Sequence, residues 1–207
     1  MLTQPQLILA SSSPSRKMIL DTLGIPYDIQ IPHIQEDVHL HETPEEHVLR
    51  LSKEKAVAIA NRINHDVTAL IIGCDSVCVL KGEIVSKPET HDRAVAQLQA
   101  ASGQCVYFYS GLSLYNTKTN HLQQEVVCTQ VYFKKLSQAL IEAYLEKDKP
   151  YHCAGSLRAE GLGIILIEKL VSEDPNSLIG LPLIALIRLL EKEKVDIVPC
   201  CVPFKSH

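Results

Sequence analysis

Apolar runs of strand length alternate with capped helix starts along this chain of 207 residues, and that alternation leaves few architectures open. Gln6-Leu7-Ile8-Leu9-Ala10 reads as a short, fully buried strand. It enters Ser11-Ser12-Ser13-Pro14-Ser15 and then a helix over residues 16–23. Ser13 offers the cap, Pro14 suits the first helical position, and Gly24 fits the end. Residues 27–31 alternate and predict a second strand. Thr43-Pro44-Glu45-Glu46 is a capping box that opens a helix, with Val48, Leu51, Ala56 and Ile59 on its apolar face. Residues 68–80 form a long apolar run, followed by a Lys81-Gly82 turn and a short return strand, 83–85. Further helices are expected over 90–101, from Ser137 to about 147, and over 182–192. Strands are expected over 105–115, 122–133 and 164–170. Hairpins beside crossovers predict an α/β fold with a mixed sheet.

The length suits one domain, or one domain of two lobes, with residues 194–207 as a tail. Charged residues make up 21% and hydrophobic residues 46%, which argues against disorder. Twenty basic and 24 acidic side chains give a net charge of −4, so no electrostatic footprint for nucleic acid is present. Neither a secretory leader nor a membrane span is expected, and the protein reads as soluble and cytoplasmic. Seven cysteines without a Cys-x-x-Cys pair fit reduced thiols. Cys74, Cys105, Cys128 and Cys153 are expected to act as small buried hydrophobes, while Cys200 and Cys201 fall in the tail.

Several segments carry candidate chemistry. A serine-rich loop at a helix start offers hydroxyls, free N–H groups and the positive end of a dipole. Arg16 and Lys17 oppose that dipole, so a phosphate is a reasonable guest; an ordinary capped turn uses the same residues. Ile71-Ile72-Gly73-Cys74-Asp75-Ser76-Val77 places an aspartate at the end of a buried strand, which costs desolvation unless it is paired or binds a metal. Lys87 follows a short strand and precedes Pro88, which stiffens the turn. Glu36 and Asp37 are hard oxygen donors of the kind that hold Mg²⁺ or Mn²⁺. Lys53 and Lys55 lie on the second helix, and one of them is a candidate to face inward. His39 and His41 read as loop histidines, and Tyr107, Phe108 and Tyr109 as packing residues.

Taken in order, these motifs resemble the Maf family of nucleoside triphosphate pyrophosphatases. The matching pieces are Leu9-Ala10-Ser11-Ser12-Ser13-Pro14-Ser15-Arg16, Glu54-Lys55-Ala56, Ile72-Gly73-Cys74-Asp75-Ser76, Ser86-Lys87-Pro88, Ala154-Gly155-Ser156 and Ile179-Gly180-Leu181-Pro182-Leu183. Residues 153–163 and 174–180 look most like the 7-methyl-GTP pyrophosphatase branch.

The resemblance implies an elongated, two-lobed α/β fold with a central cleft. A homodimer is left open. It implies a nucleoside triphosphate substrate, cut between the α and β phosphates with a divalent cation. Asp75 then matches the catalytic acid. Ser11, Ser13, Arg16, Lys55 and Lys87 match phosphate-binding positions. Glu36 matches the metal-binding acid, alongside Asp75. Ser15, Ser76 and Glu160 match positions that set base specificity. Glu160 fits the 7-methyl-GTP branch, whereas that branch usually has tryptophan at Ser15 and glutamine at Ser76. Two alternatives follow: a dTTP/UTP pyrophosphatase, and a nucleotide-binding regulator of cell division with little turnover.

Overall fold

The computed structural model describes residues 5–64 and 67–197. Strands β1 (Gln6–Ala10), β2 (Asp28–Gln30), β3 (Ala69–Leu80), β4 (Glu83–Val85), β5 (Cys105–Asn116), β6 (His121–Phe133) and β7 (Ile167–Val171) form one mixed sheet. Its seven strands run in the order β2-β1-β3-β5-β6-β7, with β4 beside β3. β1 is parallel to both neighbours, and the other ladders are antiparallel. Among the described residues five α-helices flank the sheet: α1 (Pro14–Asp21), α2 (Pro44–Ala60), α3 (His91–Ala101), α4 (Gln138–Asp148) and α5 (Leu183–Lys192).

β3 shares its two edges unequally. One edge pairs with β5 from Leu70 to Val79. The other pairs with β1 from Ala69 to Gly73, then with β4 from Cys78 to Leu80. In between, residues 74–77 have no strand partner on that edge among the described residues. The gap lies at the C-terminal end of β1, where ligand sites of open α/β sheets gather.

Alternation splits the two faces. Leu70, Ile72 and Cys74 of β3 face α1 and α5, while Cys78 faces α3 and α4. Ser76 falls between these two apolar clusters. Ser110 divides Leu112 from Phe108 in the same way, and Thr129 divides Val127 from Val131. The hydroxyls bond among themselves and to the loop above them. Ser76 Oγ lies 2.9 Å from Ser110 Oγ, and Ser110 donates to the Ser177 carbonyl at 2.8 Å. Thr129 Oγ1 lies 2.6 Å from Ser177 Oγ. A polar seam therefore crosses an otherwise oily face.

α2 covers the opposite face, packing Ala56 and Ile59 on Ile8, Ala10 and Ile71, and Val48 on Val77 and Val79. Two glycines let its backbone lie directly on the strands. A Cβ at Gly73 would lie 1.9 Å from the Ser52 carbonyl oxygen, and one at Gly111 would lie 2.3 Å from that of Val48.

The expected helix starts are present. Ser13, Thr43 and Ser137 each accept a hydrogen bond from the backbone N–H three residues on, and Glu46 closes a reciprocal capping box. α5 begins after Pro182, which has no capping side chain. Buried Asp174 takes that role from a distance, accepting from the N–H groups of Ile184 at 2.6 Å and Ala185 at 3.3 Å.

Four expectations are corrected. Residues 164–170 are not one strand, because Leu162–Leu166 is a 3-10 turn and β7 starts at Ile167. The turn forms because the N–H groups of Gly161 and Gly163 both donate to the Arg158 carbonyl. The segment after α5 is not wholly a tail, since Val195 and Ile197 pack on the cluster beneath α1 and α5. Residues 198–207, with Cys200 and Cys201, lie outside the described residues. Cys74 is fully buried, but Cys105, Cys128 and Cys153 are only partly so. Strand alternation turns Cys105 away from core-facing Val106 and Phe108, and Cys128 away from Val127 and Thr129. Cys153 lies on a cleft wall. Phe108 packs in the core as expected, whereas Tyr107 is 39% exposed. No helix among the described residues is long and apolar enough to cross a membrane.

Candidate active site

A cleft of about 870 Å³ opens at the gap in the edge of β3. Ser11, Ser13, Ser15, Arg16, Glu36, Lys55, Asp75, Ser76, Lys87 and Glu160 all line it. The fold thus gathers these ten candidates from segments far apart in sequence, while Asp37 lies outside the cleft. Lys17 does not join them. It turns to the surface and pairs with Asp21 at 2.7 Å. His39 and His41 are exposed loop residues, as expected.

Asp75 does not end a strand as expected, because the ladder with β5 carries β3 on to Leu80; it projects to the α2 face and is 6% exposed. Lys55, on α2, is 5% exposed, and its Nζ donates to Asp75 Oδ1 at 2.6 Å. The same ammonium lies 2.7 Å from Glu36 Oε1. Lys53, two residues away, is exposed. The close seat of α2 on Gly73 and Gly111 makes this triad reachable. Burial raises the Glu36 carboxyl, but the Lys55 hydrogen bond and the charges of Lys55, Lys87 and Arg16 outweigh it, so the group is held below its ordinary value.

Arg16 is anchored on the other face. Its Nε donates to the Gly180 carbonyl at 2.9 Å, and its terminal nitrogens reach Ser76 Oγ at 3.4 Å and Ser11 Oγ at 3.5 Å. Cys74 Sγ donates to the same Gly180 carbonyl at 2.9 Å. Burial pushes that thiol up, so it stays a protonated donor. Ser13 uses its hydroxyl to cap α1, and Ser11 Oγ accepts from the Ser13 N–H. These two serines shape the loop as much as they offer it to a guest.

Glu160 forms a further wall. Ser15 donates to its Oε1 at 2.6 Å, and Arg158 Nε lies 3.7 Å from the same oxygen. Asp148 fixes the turn, accepting from Arg158 Nη1 at 3.3 Å and from the Leu162 N–H at 3.0 Å. Lys87 lines the mouth and makes no ion pair with a described residue.

One network escaped the sequence reading. Glu42, just before the Thr43 cap, accepts from Arg50 Nε at 2.6 Å and Arg50 Nη2 at 2.9 Å, and meets His47 Nδ1 at 2.9 Å. Arg50 also donates to the Asp37 carbonyl at 2.9 Å. The network ties the loop over residues 31–43 to α2 and so holds Glu36 above Lys55. The signal available was an acid beside the cap, with His47 and Arg50 three apart on one helix face.

This network predicts a pH dependence. The Arg50 hydrogen bond, helped by His47 and the His39 N–H against the effect of burial, lowers the Glu42 carboxyl from 4.5 to about 2. The folded form then binds fewer protons than the unfolded one. Stability from Glu42 is complete above the unfolded value and is lost as pH falls from about 4.5 toward 2. Thermal melts across that range will show a steeper acid loss for wild type than for Glu42→Gln. Parallel profiles would remove Glu42 as the cause.

The donor set suits a hard cation in part. Glu36 and Asp75 already share one ammonium, so their oxygens converge on a positive charge. No cluster of three or more His, Cys, Asp or Glu side chains is gathered for a metal among the described residues. Two carboxylates, completed by water and phosphate oxygens, match the habit of Mg²⁺.

Fold and cleft together define an α/β protein whose strand-end site surrounds two carboxylates with basic side chains, as a phosphate-rich guest requires. Residues 6–193 match the family model described as Maf-like protein, and the chain belongs to this family. It is also 48% identical over 194 residues to a 7-methyl-GTP pyrophosphatase of Methylobacillus flagellatus, a match that covers 94% of this chain and 100% of that relative.

Proposed function

We propose that this chain is a divalent-metal-dependent pyrophosphatase that cuts 7-methyl-GTP between the α and β phosphates. The products are 7-methyl-GMP and pyrophosphate, and the activity keeps a modified nucleotide out of nucleic acids. The observation that carries the reading is Glu160, a carboxylate fixed on the wall of the cleft that holds Asp75. A 7-methylguanine ring carries positive charge, so a carboxylate selects it over guanine. The likeness to the Methylobacillus flagellatus protein supports the same substrate.

The residues divide the work. The α-phosphorus is shielded by negative oxygens, and Lys55, Arg16 and Lys87 offset that charge. Asp75 takes a proton from the attacking water, using the oxygen that Lys55 does not hold. Glu36 and Asp75 would hold the metal, which when bound neutralises charge on the phosphate oxygens and on the leaving pyrophosphate.

A dTTP/UTP preference is the second reading, motivated by the small hydroxyls of Ser15 and Ser76. Here the contacts weigh against it. Ser76 Oγ is engaged by Arg16 and Ser110, so a base would compete for it. The test is pyrophosphate release from 7-methyl-GTP, GTP, dTTP, UTP and CTP with Mg²⁺ and with Mn²⁺. We expect 7-methyl-GTP to lead. Glu160→Gln is expected to lower kcat/KM for it by about 30-fold or more, with far smaller effects on GTP. Preferred pyrimidine turnover would overturn the assignment, and release of orthophosphate alone would overturn the bond.

A further inference from the structure

The cleft extends beyond the residues used so far. Lys55, Leu51 and His47 follow one another at four-residue spacing on α2, and all three line it. The His47 residue is 3% exposed. Its Nδ1 lies 2.9 Å from Glu42 Oε2 and 3.3 Å from Arg50 Nη2. Its Nε2 has no hydrogen-bond partner among the described residues. Among the described residues no sealed side-chain nitrogen or oxygen lacks a partner, so Nε2 is not sealed, and the opening next to His47 is the cleft it lines. A buried polar atom aimed at a cleft, with its other ring nitrogen fixed from behind, is a built contact.

Resting on the pyrophosphatase reading, we infer that His47 binds the phosphates beyond the scissile bond, those that leave as pyrophosphate. The direction follows from the sheet. Ser76 and Arg16, near Ser15 and Glu160, stand on the face of α1 and α5. Asp75 and Lys55 stand on the face of α2. A nucleotide whose base meets Glu160 and whose α-phosphorus meets Asp75 crosses the sheet through the gap in β3. An in-line leaving group continues onto the α2 face, where His47 waits. Eight residues separate His47 from Lys55, about 12 Å along a helix axis. Two side chains reaching inward from those points bracket a pyrophosphate.

The imidazole has the right protons for this. A phosphate oxygen needs a donor at Nε2. In one tautomer Nδ1 accepts from Arg50 and Nε2 carries the hydrogen. In the imidazolium Nδ1 donates to Glu42, and Nε2 again carries a hydrogen. Only the imidazolium keeps the 2.9 Å contact with the Glu42 carboxylate and a hydrogen at Nε2 together, so it is the form that binds phosphate.

The experiment uses the full chain with Mg²⁺, ¹⁵N-labelled on histidine, titrated with inorganic pyrophosphate. His47 resonances are assigned by their loss in His47→Gln. We expect pyrophosphate to shift the Nε2 signal. We expect its Kd, by calorimetry, to rise about tenfold in His47→Gln while 7-methyl-GMP binding stays constant. His47→Leu, which keeps the apolar packing, should behave like His47→Gln. An unmoved Nε2 signal, or unchanged pyrophosphate affinity in a folded variant, overturns the role of His47. If wild type releases pyrophosphate from 7-methyl-GTP in that case, the hydrolytic reading survives alone. Pyrophosphate bound through His47 without turnover of any nucleotide would support the site and sink the hydrolytic reading instead.

Discussion

Asp75→Asn is expected to reduce pyrophosphate release by about a thousandfold or more, with the protein still folded. The substitution keeps shape, and an amide oxygen still accepts from Lys55. What disappears is the negative charge and the capacity to take a proton. Lys55 keeps Glu36 at 2.7 Å, so the buried ammonium is not stranded. A melting temperature within a few degrees of wild type, with activity lost, will assign the defect to chemistry. Activity within tenfold of wild type would remove Asp75 from the centre of the reaction. The same variant tests the regulator alternative. If nucleotide affinity and cellular function both survive the loss of turnover, binding and not hydrolysis is what the cell uses.

The second large effect is expected from Gly73→Ala. A methyl group there meets the Ser52 carbonyl at 1.9 Å, and that atom is backbone that cannot swing aside. Gly73 has ordinary strand geometry in the sheet, so the obstacle is space and not backbone strain. To relieve the clash α2 must lift from β1, β3 and β5. That opens the packing of Ala56 and Ile59 and carries Lys55 away from Asp75. The expected cost is about 3 kcal/mol or more, a fall in Tm of roughly 6–12 °C for a chain of this size. Residual enzyme should show a lower kcat even where it is folded. Chemical denaturation and steady-state kinetics on one preparation check both. A variant as stable and as active as wild type would show that α2 does not need its close seat.

What was legible in the sequence was what is local. Ser13, Thr43 and Ser137 reveal their helices because a cap needs only the next three residues. The apolar run of β3 reveals a buried strand. It could not reveal that the strand changes partner at Gly73, since the run reads the same beside β1, β4 or nothing. The order of motifs pointed to Asp75, Lys55 and Arg16, and the fold places them on one cleft. The reason for Gly73 was hidden because its neighbour is the backbone of Ser52 on another element. Glu42, His47 and Arg50 were hidden for a related cause. Their spacing looks like any polar helix start until the loop over residues 31–43 folds back. The turn at 162–166 depends on the Arg158 carbonyl, which no strand pattern reports.

The unbroken passage of β3 past the gap has a bearing on how such a protein changes over generations. Asp75 hangs on a ladder with β5 that continues on both sides of it, and Lys55 hangs on a helix bedded on glycines. Both belong to the frame. Ser15 and Glu160 belong to fittings, the first turn of α1 and a glycine-containing bend, joined to each other by one hydrogen bond. Exchange of these fittings leaves ladder and helix seat intact. On the proposed roles, a lineage built this way can alter its choice of base by changing side chains at a helix start and a bend, while the frame that carries Asp75 and Lys55 is kept.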